Sequence, residues 1–148
     1  MINGLDKALS MLTTKFTRIE NAVSSEVSDT GHNIQRDAAN LSAGTGIFDK
    51  DGVWIALNGK VKGEVVGSDN GYRIWVDAGK LGAYIEFGTG EYAKDTLEDY
   101  NKEWRDLAYD FFVNGKGKLP ARPYMYPSWV KNTTGLKDRL KKRMNKPY

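Results

Sequence analysis

The first two dozen residues repeat apolar side chains at alternating intervals of three and four: Ile2, Leu5, Leu9, Leu12, Phe16, Ile19 and Val23. An α-helix gathers such positions onto one face. The stripe resumes at Val27, Ile34, Ala38 and Leu41, so a helix is expected over 3–42. Between the two stretches lies Ser28-Asp29-Thr30-Gly31, poor in helix propensity, and a kink or break is expected near Gly31. A strict seven-residue repeat also permits a coiled coil. The preferred reading is a long helix packed across a sheet of its own domain.

Ser42-Ala43-Gly44-Thr45-Gly46 should end that helix. Three runs rich in β-branched and aromatic residues follow: 53–57, 61–66 and 72–76. Asn58-Gly59 and Asp69-Asn70-Gly71 separate them as hairpin signals, which predicts an antiparallel meander. Leu81 to Phe87 fits either a strand or a short helix, closed by Gly88-Thr89-Gly90. Residues 91–118 read as an insert. In it, Leu97, Tyr100, Trp104, Leu107 and Phe111 predict a helix over 96–113, with Asp95 and Glu98 as a capping pair and Asn114-Gly115 as its stop. A flexible Gly115-Lys116-Gly117-Lys118 follows. LPARPYMYPSW (119–129) then reads as a stiff extended arm, because three of its residues precede proline. A closing helix over 128–144 is weakened by Gly135. The expected architecture is one α+β domain over 1–148. Its N-terminal and C-terminal helices would pack on a small, mainly antiparallel sheet, with 91–118 as a helical insert.

The chain has no cysteine, which excludes disulfides, thiolate metal sites and a cysteine nucleophile. Its one histidine, His32, lies in a helical stretch and reads as an ordinary helix residue rather than a zinc ligand or catalytic base. No nucleophile elbow or phosphate loop is present; Gly44-Thr45-Gly46 and Gly88-Thr89-Gly90 read as turns. Asp49-Lys50-Asp51-Gly52 lacks the remaining ligands of a calcium loop and also reads as a turn. The carboxylates of 91–110 lie mostly opposite the apolar stripe, as on a solvated helix face, with Glu98 and Lys102 spaced for an i,i+4 pair. These features call for no catalytic residue, metal or cofactor. No run approaches the roughly 18 residues of a membrane span, and the first residues lack a secretory pattern, so a soluble protein is expected.

Charge is unevenly placed. Residues 131–148 hold seven Lys/Arg and one Asp, whereas residues 1–130 hold 15 basic and 18 acidic groups. Lys137, Arg139, Lys141, Lys142 and Arg143 are therefore candidates for facing DNA or an acidic partner, against the plainer reading of a solvated helix face. Glu86 and Arg122 each stand alone among apolar neighbours. They are expected either to pair, within the fold or between subunits, or to point to solvent.

Taken in order, Thr45-Gly46, Tyr84-Ile85-Glu86-Phe87-Gly88-Thr89 and Pro120-Ala121-Arg122-Pro123-Tyr124-Met125-Tyr126-Pro127 resemble the tail-completion, or head–tail joining, proteins of long-tailed bacteriophages. The insert is longer than that pattern usually has, and Asp77-Ala78-Gly79-Lys80 intrudes before the tyrosine. The resemblance implies a non-enzymatic virion protein, assembled in the host cytoplasm. Such a protein would form a ring, hexameric in that family, between the tail terminator and the head connector or stopper, with DNA passing through. It implies that Glu86, Phe87, Arg122, Pro123, Tyr124, Tyr126 and Trp129 serve subunit or partner contacts. The alternative is a small nucleic-acid-binding module using the basic C-terminal helix.

Overall fold

The computed structural model describes residues 3–48, 51–52, 54–56, 62–68, 71–77, 79–90, 93, 97–114 and 117–145. Helix α1 spans Asn3–Leu41, a single 39-residue element. Two short pairs follow: β1 (Gly46–Phe48) with β2 (Trp54–Ala56), and β3 (Lys62–Ser68) with β4 (Gly71–Asp77). Next come α2 (Gly79–Phe87), a 3-10 turn at Leu97–Asp99, α3 (Lys102–Asn114), α4 (Met125–Thr133) and α5 (Leu136–Met144).

The expected α+β arrangement is not what forms. The described residues are mostly helical, and no sheet serves as a platform for the helices. Among the described residues, strand pairing is confined to two separate antiparallel pairs. The reason is partner choice. Gly46–Phe48, too short a run to be read as a strand, takes Trp54–Ala56, with Ile47 opposite Ile55. That leaves Lys62–Ser68 to pair only with Gly71–Asp77, Ser68 opposite Gly71. The meander is thus not continuous, and what α1 meets is a two-stranded ribbon rather than a larger sheet. The expected turns at Asn58-Gly59 and Asp69-Asn70 lie outside the described residues, as do Ile2, Asp49, Lys50, Asp95, Gly115 and Lys116.

Helix α1 is instead covered by helices. Its second half lies against α4 and α5, with β3 and β4 also alongside the helix. Ile34 and Ala38 are fully buried, and Thr30 nearly so. The break expected near Gly31 does not occur, because tertiary contacts hold the weak stretch in place. Arg139 Nη2 donates to Thr30 Oγ1 at 3.5 Å, and Asp29 pairs with Arg143 at 2.8 Å. The helix does end as expected. The Ser42 N–H and hydroxyl both bond back into the last turn, and Gly44 takes the left-handed conformation at φ +74°.

The closing helix is two helices. Gly135, at φ +72°, starts α5 and ends the run that begins at Met125. The turn aims Arg139 and Arg143, one helical turn apart, back at α1. Glu26 is only 5% exposed, and its two oxygens meet Arg139 Nε at 2.6 Å and Arg143 Nε at 2.5 Å. Arg143 also reaches Ser25 and Asp29, and Arg139 reaches the carbonyls of Asn132 and Thr134. A buried carboxylate is tolerable when paired and hydrogen-bonded in this way, and losing either side would strand a charge.

Near the other end of the same seam, Asp37 accepts from Lys131 at 2.8 Å and from Asn132 at 2.9 Å. These two hydrogen bonds, Lys131's foremost, hold its carboxyl below the ordinary value of 3.8. A depressed carboxyl stabilises the fold above its unfolded pKa and ceases to do so as pH falls through its folded one. Urea denaturation of the wild type and of Asp37→Asn should therefore differ most above about pH 5, and the gap should close as pH drops below about 4. A gap as large at about pH 2 as at about pH 6 would contradict the assignment.

Candidate functional site

The segment Leu81–Phe87, ambiguous in sequence, makes up all but the first two residues of helix α2. Three consecutive residues at its end, Ile85, Glu86 and Phe87, are 2, 2 and 4% exposed. A half-covered strand would bury alternate residues, not three in a row. They are enclosed because the proline arm wraps this helix end.

The wrapping satisfies helix-end groups that would otherwise be orphaned. The Gly88 N–H donates to the Tyr84 carbonyl at 2.8 Å, with Gly88 at φ +71°. The Arg122 N–H donates to the Ile85 carbonyl at 2.8 Å. The Thr89 N–H donates to the Leu119 carbonyl at 2.9 Å, and Thr89 Oγ1 accepts from the Leu119 N–H at 3.0 Å. A Cβ on Gly88 would fall 2.6 Å from the Leu119 carbonyl oxygen and 2.7 Å from the Ala121 nitrogen. Glycine is needed there both for its conformation and for the approach of the arm.

The reciprocal contact comes from Glu86. One carboxylate oxygen accepts from the N–H groups of Tyr124 and Met125, each at 2.7 Å, and the other accepts from Tyr126 at 3.0 Å. These are the N–H groups that open helix α4, and the next residue, Pro127, has none to offer. A single buried side chain thus satisfies the whole first turn and places its negative charge at the positive end of the helix dipole. Expectations for the arm are corrected at this point. It is extended only through Pro123, and Met125 already begins the helix.

The insert docks onto the same corner. The Tyr100 hydroxyl donates to Glu86 Oε1 at 3.2 Å. Burial first, then the Glu86 charge, pushes that hydroxyl far above its ordinary pKa, so it stays a neutral donor. The Asn101 N–H donates to the Tyr126 hydroxyl at 3.0 Å, while Asn101 Oδ1 accepts from the Trp104 N–H and caps α3. That cap interrupts the helix expected over 96–113. Tyr100 meets Tyr126 edge-on, ring centroids 4.6 Å apart, and meets Phe87 edge-on at 5.6 Å; Trp104 lies 5.3 Å from Tyr126. Phe87, Tyr100 and Ala108 form the buried centre, flanked by Ala83, Trp104 and Tyr126.

Of the residues singled out from sequence, Glu86, Phe87, Tyr124 and Tyr126 converge. Arg122 and Pro123 are exposed, and Trp129 is half-exposed on α4. Glu86 and Arg122 do not pair as side chains: Glu86 is buried and fully engaged by backbone amides, and only Arg122's N–H joins the corner. Of the basic candidates, Lys137, Lys141 and Lys142 face solvent, whereas Arg139 and Arg143 turn inward to Glu26. His32 is exposed, with Nδ1 3.4 Å from Ser28 Oγ. Tyr100 and Trp104 were legible only as part of a helix stripe, and Asn101 and Glu26 had no distinguishing signal. Among the described residues no group of three His, Cys, Asp or Glu converges as a metal site, and no helix is long and apolar enough to cross a membrane.

Comparison with protein-family models, curated proteins and solved structures returns no match.

Two substitutions test the corner. Glu86→Gln keeps the shape but turns an amide toward amide donors, and it should cost about 3 kcal/mol of stability in urea denaturation. Gly88→Ala should cost at least about 2 kcal/mol, from the left-handed backbone and from displacement of the arm. Unchanged midpoints for both would mean that the arm is not seated as described.

Proposed function

We propose that this chain is a structural assembly subunit of a phage neck, forming a ring that joins tail to head, and that it performs no catalysis. The observation that carries this reading is the mutual docking of Tyr84–Thr89 and Pro120–Pro127. These are the segments in which the resemblance to tail-completion proteins resides, and they are complementary halves of one built corner. Their side chains are committed to holding backbone in place: Glu86 has both oxygens occupied, and Tyr100 is held neutral. Such groups suit a scaffold better than proton transfer, which needs a group poised to titrate near the working pH.

The nucleic-acid alternative is less well supported. Arg139 and Arg143 are already paired with acidic groups of α1, which leaves fewer exposed cations on that helix for phosphate contacts.

Negative-stain images of the purified protein, alone and mixed with phage tail tubes, provide the test. Rings seated at tube ends are the expected result. A protein that never joins tube ends would sink the reading.

A further inference from the structure

The second half of α1 is covered by its own chain, and the first half is bare. Leu5, Leu9, Leu12 and Phe16 are 58, 54, 51 and 69% exposed, and no described residue from Gly4 to Thr17 is buried. An apolar row of this length left in water marks an interaction surface. Its period is strict. Written as heptads, Leu9, Phe16 and Val23 occupy a positions, and Leu5, Leu12 and Ile19 occupy d positions. The outward positions carry Lys7, Ser10, Thr14, Thr17, Arg18 and Asn21, with Met11 as the apolar exception.

We propose that this half of α1 forms a parallel, in-register coiled coil with a second copy of the chain. The flanking charges select both partner and direction. Lys15 is a g residue, and Glu20 is the e residue of the following heptad, the two positions that meet across a parallel seam. Symmetry places a Lys15–Glu20 pair on each side of the coil, and both residues are exposed. An antiparallel pairing that overlaps the same stripe would set Lys15 against Lys15 and Glu20 against Asp6, like charges in both cases. Three heptads alone are marginal for a coil. Here the helix is already nucleated, because its second half is clamped by α4 and α5. In naming a surface where copies meet, the inference rests on the proposed assembly role, and its test separates the two.

Since the chain lacks cysteine, single introduced cysteines report the geometry. Leu12→Cys puts a thiol in a d layer, within disulfide reach of its copy, and Met11→Cys puts one outside the seam. Both replace exposed side chains, so the fold is not at risk. Under mild oxidation, Leu12→Cys should cross-link about tenfold faster than Met11→Cys. In sedimentation equilibrium, Lys15→Glu should weaken self-association about tenfold, and adding Glu20→Lys to the same chain should restore it. Equal cross-linking at the two sites, or self-association indifferent to the charge swap, would overturn the proposal. If that happens while rings still form on tail tubes, the coil is lost and the assembly role stands. If the coil forms and tubes are ignored, the reverse holds.

Discussion

Much of the second half of this protein is organised around one carboxylate. Glu86 leaves the last turn of α2, is 2% exposed, and accepts the three N–H groups that open α4. A buried charge without partners would be prohibitive, and charge-assisted bonds to backbone amides are among the strongest available to it. The same oxygens receive Tyr100, which ties the insert to the corner. Three elements far apart in sequence thus share one acceptor. The arm completes the exchange by giving the Arg122 amide to a carbonyl at the end of α2. Each helix end supplies what the other lacks.

A second constraint sets where α4 and α5 lie. The acidic groups of α1 and the basic groups near the C-terminus match along one seam: Glu26 with Arg139 and Arg143, Asp29 with Arg143, and Asp37 with Lys131. The uneven charge of the chain is in part an internal matter. What reads in the sequence as a basic tail reaching outward is, for two of its arginines, the means of closing the fold. The most buried member is Glu26, so these contacts are far less open to salt screening than surface pairs.

Legibility from sequence followed the range of the interactions. Helix α1 was plain because its pattern is local and long. Its continuity through Gly31 was not, because that depends on residues more than a hundred positions away. Glu86 and Arg122 stood out as charges among apolar neighbours. The expectation sought a charged partner for each, whereas Glu86 found backbone amides, which every residue but proline carries. Pro127 was the available clue, since proline is tolerated in a first helical turn where no N–H is needed. The strand runs were visible, but their pairing turned on Gly46–Phe48, a run of three residues too short to be read as a strand. Leu81–Phe87 was too short for its period to decide between helix and strand.

The separation between the two halves of the α1 seam also has a meaning in time. Arg139 and Arg143 close contacts across 113 and more residues. During synthesis α1 emerges more than a hundred residues ahead of the arginines that cover Glu26. Through that interval α1 is made but its Glu26 is not yet clamped. Long-range closures of this kind come late in folding and leave the groups they cover exposed meanwhile. Helix α1 is thus secured long after it is made, and a nascent chain cut short before Arg139 would carry Glu26 without its two arginines.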